Sequence, residues 1–184
     1  MDIVDQIKNY VEAECRKPTS KYGSEPFLFH FVPMVEYAKV LAKEMNVDIE
    51  IVELAGWLHD IGSIVYGREN HHITGAKIAE EKLTELNYPP AKIKLVKNCI
   101  LNHRGSKNSK RETLEEKIIA EADAMSNFDN IAGIFKAAFI YEKLNQGEAK
   151  IAVRKKLQNK YKQLHFSKSK EMIKPKYDAA MLLL

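Results

Sequence analysis

The 184-residue sequence predicts an all-α protein, and three observations support this fold class. Apolar residues recur every three to four positions along most of the chain, which is the spacing of one helix face. The chain contains only 8 glycines and 6 prolines, so long helices are seldom interrupted. No run of alternating apolar and polar residues is bounded by turn signals, so no strand is required.

The first predicted helix covers residues 2–16, where apolar side chains fall on one stripe. A polar connection, KPTSKYGSEP, follows it. The second helix is predicted from Phe27 to Met45, and Pro33 is tolerated there only if the helix begins close to it.

Asp48 is the expected N-cap of a third helix, because its side chain can accept the free amide hydrogens of the first turn. We expect this helix to run to about Ile61 and to stop at Gly62. The sequence GREN, residues 67–70, is expected to be a loop. A fourth helix is predicted from His72 to Leu86.

Pro89 and Pro90 are expected to open a fifth helix that closes at Gly105. An exposed loop, SKNSKRE, should follow. Thr113 and Glu116 then have the spacing of a capping box, in which each side chain accepts the backbone N–H of the other residue. Three further helices are expected near 128–145, 148–165 and 169–182.

Charge is distributed unevenly along the chain. Residues 1–149 contain 19 basic and 23 acidic side chains, whereas residues 150–184 contain 10 basic and 2 acidic ones. We interpret the basic segment as a helix with a solvated lysine face. The apolar residues that would face the core at helical spacing are Val153, Leu157, Tyr161 and Leu164. The alternative is a surface for phosphate-rich partners, including nucleic acid.

The remaining composition predicts one cytoplasmic domain spanning residues 1–184. Cys15 and Cys99 are isolated in the sequence and form no CxxC pair, so both are expected to be free thiols in a reducing compartment. The N-terminus lacks the pattern of a secretory signal, and no stretch is apolar enough to cross a membrane.

Five of the six histidines fall within a 74-residue stretch, each near the end of a predicted helix. They are His30, His59, His71, His72 and His103. Asp60 follows His59 directly, and burial of its carboxylate among apolar residues would be unfavourable without a cation. Histidine nitrogen and carboxylate oxygen are common ligands of divalent metals, so a metal site is one interpretation. The alternative is that Asp60 caps a helix while His59 binds backbone.

Two further residues fit either a metal site or an ordinary structural role. Asp123 stands in a helix between alanines, whose small side chains allow another backbone to come close. It is either an inward ligand or an exposed helix residue. His30 lies between Phe29 and Phe31, so it is either a buried hydrogen-bonded histidine or a ligand.

These residues together form the pattern H…HD…D, and the letters HDIG occur at positions 59–62. In this the sequence resembles the HD superfamily of metal-dependent phosphohydrolases. The resemblance covers about residues 24–130 and implies an HD-domain helical bundle, with additional C-terminal helices at about 147–184. It also implies that His30, His59, Asp60 and Asp123 hold a metal ion.

Branches of the superfamily that bind two metals carry a further histidine in H-x-x-x-G-A and another at a later helix end. By this spacing His71 matches the first position, and His103 matches the second. The resemblance implies that these two hold a second ion and that Asp60 bridges the pair. His72 is the alternative ligand or a substrate contact.

The implied activity is hydrolysis of a phosphate ester or anhydride by a metal-bound hydroxide. The implied substrate is a nucleotide or a small phosphorylated metabolite. Iron or manganese suits the mixed ligands best, while zinc, magnesium and nickel stay open. Ser63 and Ile64 follow the motif where alarmone hydrolases have an HDxxED extension, which argues against that substrate. The absence of a GYP motif argues against cyclic di-GMP.

Basic residues near the predicted ligands are candidates for binding phosphate. Arg104 follows His103 directly and is expected to contribute to substrate binding and catalysis. Arg68 and Lys77 flank His71 and are further candidates, together with His72.

Two functions of other classes also fit the sequence. One is a non-catalytic sensor that binds a metal and a nucleotide, although six retained ligand positions favour an enzyme. The other is an RNA-associated protein that uses its basic C-terminal segment. The sequence predicts no membrane partner and leaves a homodimer open.

Overall fold

The computed structural model describes residues 2–104 and 110–184, and all regular structure within these ranges is helical. The predicted all-α class is therefore confirmed. Within the described ranges, ten α-helices and one π-helical turn, π1, follow one another. They are α1 (Ile3–Arg16), π1 (Phe27–Phe31), α2 (Val32–Met45), α3 (Ile49–Leu58), α4 (Ile61–Tyr66), α5 (His71–Glu85), α6 (Pro90–Asn102), α7 (Leu114–Ser126), α8 (Ile131–Ile140), α9 (Gln146–Lys162) and α10 (Ser167–Leu183).

The predicted second helix begins with a π-helical turn, in which the N–H of Val32 binds the carbonyl of Phe27. Regular α-helix starts at Val32, so Pro33 lies in its first turn, as expected. Phe27 and Phe31 are buried on either side of His30. The π-helical turn therefore presents the histidine between two side chains that are fixed in the core.

The predicted third helix is in fact two helices. Asp48 caps α3, since its Oδ1 accepts the N–H groups of Glu50 and Ile51. The helix ends at Leu58 rather than near Ile61, because the backbone of Asp60 leaves helical geometry at φ −111° and ψ 11°. This break places Asp60 at the junction of α3 and α4.

Gly62 does not stop a helix, contrary to our expectation, but lies inside α4 where α4 meets α5. A Cβ atom at this position would lie 2.3 Å from the carbonyl oxygen of His71 and 2.6 Å from the nitrogen of Gly75. Only glycine allows this approach, and it holds the start of α5 against the junction that carries Asp60.

The later boundaries differ from prediction by a few residues. Helix α6 ends at Asn102, and the predicted end at Gly105 lies outside the described residues. The predicted capping box is half right: Thr113 accepts the N–H of Glu116, but the Glu116 carboxylate accepts the N–H of Glu112. Glu116 also accepts the side-chain amide of Asn102, so it joins the start of α7 to the end of α6.

Helix α7 is the central element of the bundle. It contacts α2, α3, α6, α9 and α10, and its residues from Ile118 to Ser126 are buried. In the C-terminal segment, Val153, Leu157 and Leu164 are buried as predicted. Cys15 and Cys99 are buried free thiols. None of the described helices is long and apolar enough to span a membrane.

Candidate metal centre

Six side chains from separate elements converge at one end of α7. They are His30 of π1, His59 and Asp60 between α3 and α4, His71 at the start of α5, His103 just after α6, and Asp123 of α7. These are the six residues for which the sequence predicts metal ligation. The structure brings them together, and their role as ligands stays a prediction.

The first group of atoms lies between π1, the α3–α4 junction and α7. The Nε2 atoms of His30 and His59 are 3.0 Å apart. Asp60 Oδ2 lies 3.5 Å from the first nitrogen and 3.7 Å from the second. Asp123 Oδ1 lies 3.7 and 3.9 Å from the same two nitrogens. Two imidazoles and two carboxylates therefore face a common point.

The second group uses the other oxygen of Asp60. Its Oδ1 lies 3.2 Å from Nε2 of His71 and 3.6 Å from Nε2 of His103. The two Nε2 atoms are 3.3 Å apart. Asp60 thus faces both groups, one oxygen to each. His71, not its neighbour His72, takes part in this group.

The orientation of three of the four rings is fixed by the backbone. In each, Nδ1 donates to the carbonyl oxygen of the residue three positions earlier, which leaves Nε2 free of its proton in the neutral ring. The three bonds join His59 to Gly56 at 2.8 Å, His71 to Arg68 at 2.7 Å and His103 to Ile100 at 2.6 Å.

The fourth ring, that of His30, is fixed by a side chain. Its Nδ1 lies 2.9 Å from Oγ of Ser126. The backbone carbonyl of Asp123 can only accept, and when the Ser126 hydroxyl donates its one hydrogen there, Ser126 accepts from Nδ1 of His30. The Nε2 atom of His30 is therefore also the unprotonated nitrogen.

This set of atoms fits divalent metal ions. In each group two unprotonated nitrogens face each other, an arrangement that needs a cation between them. Ligand atoms about 2.1 Å from a shared ion lie roughly 3.0–3.4 Å apart at right or tetrahedral angles. The nitrogen pairs, at 3.0 and 3.3 Å, fall in this range, and the nitrogen–oxygen distances of 3.2–3.9 Å lie within or just above it.

The surroundings of Asp60 and Asp123 stabilise the negative charge of both carboxylates. Burial alone would raise the pKa of Asp60, but His59, His103 and His30 around it lower this pKa well below its usual value. Burial also acts to raise the pKa of Asp123, but Lys160 and the histidines outweigh it and the pKa is lowered. Both groups therefore stay ionised as ligands must.

The histidines respond to the same surroundings in different directions. Burial lowers the pKa of His59 to about 4, so this ring is neutral and can donate a lone pair. Burial also acts to lower the pKa of His103, but Asp60 and Asp123 outweigh it and the pKa is raised. Burial lowers the pKa of His71, so the second group combines one ring whose protonated form is disfavoured with one whose protonated form is favoured.

A cavity of about 580 Å³ opens from this centre. Arg68 and Arg104 line it, as expected for candidates that bind phosphate. Lys77 does not line the cavity. It lies six positions after His71, so the two residues are on different faces of α5. Its side chain is 77% exposed and lies 3.8 Å from Glu81. His72 is buried in α5 and belongs neither to the groups around Asp60 nor to the lining of the cavity.

Sequence reasoning missed two residues that line the cavity, Lys156 and Lys160 of α9. We interpreted the lysines of this segment as a solvated face, and for these two that is wrong. Lys160 donates to Oδ2 of Asp123 at 2.8 Å. The i, i+4 spacing of the two lysines places them on one helix face, but nothing in the sequence alone shows which element that face meets.

The fold and the site define an all-α protein with a cluster of histidines and aspartates that could hold metal ions. A model of the HD domain matches residues 27–127, and the chain belongs to the HD-domain family. This places it in a superfamily of hydrolases whose domains bind divalent metals. The matched range contains all six converging side chains and excludes α9.

Among curated proteins, Ribonuclease Y of Borreliella burgdorferi is 35% identical over 111 residues, which are 58% of this chain. The chain spans only about a fifth of the length of that protein. Among solved structures, Bacillus subtilis YpgQ in complex with ADP has a TM-score of 0.72 at 19% identity, covering 98% of this chain and 92% of that one. An HD-superfamily hydrolase of Bacillus thuringiensis has the same TM-score and coverage at 15% identity. These structural likenesses show a shared fold.

Proposed function

We propose that the protein is a phosphohydrolase that uses one or two divalent metal ions to cleave a phosphate ester or anhydride of a nucleotide. The observation that carries this proposal is the position of Asp60, which turns one oxygen to each of two histidine pairs beside a cavity lined by cations. Two adjacent ions are an arrangement that suits in-line displacement at phosphorus.

The chain itself positions the side chains that would hold the ions and the phosphate. The ring orientations of the four histidines are fixed before any ligand arrives, so little reorganisation is needed on binding. Ions held here supply Lewis-acid chemistry, which polarises a phosphoryl oxygen and makes water a better nucleophile. Arg104 lies next to His103 on the cavity wall and can present its planar guanidinium to phosphate oxygens. The mixed nitrogen and oxygen donors favour iron or manganese.

The apolar part of the cavity wall supports a nucleotide as the substrate. Its wall includes Tyr22, Phe29, Ile134 and Tyr141, so it offers apolar and aromatic surface next to the polar centre. The rings of Tyr22 and Tyr141 pack edge to face with centroids 5.5 Å apart. A base or sugar can pack against such a wall while the phosphates reach the centre. The binding of ADP by YpgQ, which shares the fold, agrees with this assignment.

The test is metal analysis together with a hydrolysis panel. Protein purified without chelators is analysed for metals and then assayed on nucleoside mono-, di- and triphosphates with added manganese or iron. We expect about two ions per chain and phosphate release from at least one nucleotide. The substitution Asp60→Asn replaces one of the two carboxylate oxygens with an amide nitrogen. We expect metal content and hydrolysis to fall at least about tenfold.

The control is Asp178→Asn, an exposed carboxylate paired with Lys174 on α10. This variant should match the wild type in metal content and rate. Full hydrolysis by a metal-free Asp60→Asn protein would refute the proposal, and so would a metal-loaded wild type that hydrolyses none of the nucleotides.

A further inference from the structure

Helix α9 brings two lysines into the cavity from outside the range that matches the HD domain. Lys160 touches the metal centre through its bond to Asp123. Lys156 stands one turn earlier, about 6 Å away along the helix axis. Both side chains line the cavity, whereas Lys155, directly before Lys156 in the sequence, is exposed. The two lysines thus form a short row of positive charge that starts at the metal centre.

The positive charge of Lys156 has no direct counter-charge among the described residues. Lys160 is paired with Asp123 at 2.8 Å, but no described carboxylate forms an ion pair with Lys156. Burial, Lys160 and Arg68 all lower the pKa of this lysine, to about 8, and the attraction of Asp123 and Glu142 does not offset them. A lysine that lies beside other cations at the wall of a cavity is well placed to bind an anion that enters the cavity.

The anion that fits is a phosphoryl group. Arg68 offers a planar fork, and the two lysines offer mobile point charges, which together can surround several oxygens of one group. The phosphoryl group attacked at the metal centre is already served by the ions and by Arg104. The cations around Lys156 are therefore available to a neighbouring group in the same phosphate chain.

We propose that Lys156, with Arg68 and Lys160, binds a second phosphoryl group of the substrate, so that the cavity takes diphosphates or triphosphates in preference to monophosphates. The proposal rests on the proposed function, because it assumes that the first phosphoryl group lies at the metal centre. It assigns the choice of substrate to α9, which the match to the HD domain does not include.

The test is a binding measurement that needs no turnover. Manganese-loaded full-length protein is titrated by calorimetry with methylenediphosphonate and with methylphosphonate, whose P–C bonds resist hydrolysis. We expect the wild type to bind the diphosphonate at least tenfold more tightly than the monophosphonate. Lys156→Met should lose this preference at unchanged metal content, whereas Lys156→Arg should keep it. The matched control Lys155→Met, on the same helix but exposed, should behave as the wild type.

Equal binding of both phosphonates by the wild type would overturn the proposal, as would an unchanged preference in Lys156→Met. Arg68→Gln supplies an independent check, because this side chain is on the loop before α5 and its loss should also reduce the preference. A protein that prefers the diphosphonate but hydrolyses no nucleotide would refute the proposed function alone. A protein that hydrolyses nucleotides without any preference would refute only the role of α9.

Discussion

Lys160 and Asp123 form a 2.8 Å ion pair that divides the two oxygens of the carboxylate between different tasks. Oδ2 accepts the lysine, while Oδ1 faces the nitrogens of His30 and His59 at 3.7 and 3.9 Å. Both partners are mostly buried, so the pair is little screened by solvent. The pair therefore fixes the orientation of Asp123 and also ties α9 to α7.

We predict that Lys160→Met weakens metal binding while the fold is kept. Without the lysine the Asp123 carboxylate can rotate, and loss of such an orienting partner typically reduces metal affinity about 10- to 100-fold. Titration with manganese under competition from a chelator measures the affinity. Lys162→Met, an exposed residue on the same helix, is the control and should bind as the wild type. Unchanged affinity in Lys160→Met would show that Asp123 does not need this partner.

We predict that His71→Ala and His72→Ala differ in metal content although they are adjacent. Only His71 turns its Nε2 toward Asp60, at 3.2 Å. Its removal should lower the number of bound ions from about two toward one, because the second group loses a nitrogen donor. Elemental analysis of both variants checks this. The opposite result, a loss of metal only in His72→Ala, would show that His72 and not His71 is the ligand.

We predict that Gly62→Ala destabilises the protein by about 3 kcal/mol, in the range observed for overpacked interiors. The added Cβ would collide with the backbone of His71 and Gly75 at 2.3–2.6 Å, so α5 has to move away from the α3–α4 junction. Urea unfolding measures the loss. Gly147→Ala is the matched control, because its Cβ would meet its nearest neighbour, a side-chain oxygen, at 3.5 Å. A stable Gly62→Ala protein with full metal content would contradict this reading of the contact.

We predict that Arg111→Met reduces metal binding through the position of His103. The guanidinium donates to the carbonyl oxygens of Asn102, His103 and Arg104 at 2.9–3.4 Å and thereby closes the end of α6. Loss of these bonds should cost about 1–3 kcal/mol of stability and loosen the histidine. A drop toward one ion per chain with retained helicity is the expected result. Arg16→Met, at an exposed position on α1, controls for loss of an arginine.

We predict that Lys156→Met stabilises the protein without ligand at neutral pH. The folded pKa of Lys156, about 8, lies below its ordinary value of 10.5, so the unfolded chain binds more protons between these values. The lysine therefore destabilises the fold fully below pH 8, and this effect disappears as the pH rises toward 10.5. After discount for partial exposure, the gain is on the order of 1 kcal/mol, or about 2–4 °C in Tm.

Thermal unfolding of wild type and Lys156→Met at pH 7 and at pH 10 checks the sign of this effect. The groups that face the lysine are Lys160, Arg68, Asp123 and Glu142, and all of them are retained in the variant. The difference in Tm should be larger at pH 7. A lower Tm for the variant at pH 7 would show that the lysine contributes to stability instead of opposing it.

The sequence was sufficient to predict the helical class and to select the six side chains that converge. The histidines stand out because they cluster near helix ends, and the H…HD…D pattern connects them to Asp123 across the chain. The choice of His71 over His72 came from the spacing to Gly75 and Ala76, and the geometry of the second group agrees with it. The residues alone left structural roles open for His30, Asp60 and Asp123, and it was the resemblance to the HD superfamily that selected all six side chains.

The role of α9 was not predicted, for a physical reason. Helical periodicity assigns Val153, Leu157 and Leu164 to the core face, and it leaves open what the flanking lysines meet. That depends on how α9 packs on α7 and α8, which is a contact between distant parts of the chain. The break at Asp60 was missed for a similar reason, since glycine at position 62 serves a close approach between helices and not a helix end.

The cavity is lined partly by residues of the HD-domain range and partly by residues of the later helices α8 and α9. Residues 30–123 contain every side chain of the histidine–aspartate centre, and α9 contributes Lys156 and Lys160, which lie more than thirty residues after Asp123. If Lys156 binds substrate as proposed, substitutions at this position would change which anions bind while the histidine–aspartate centre stays intact.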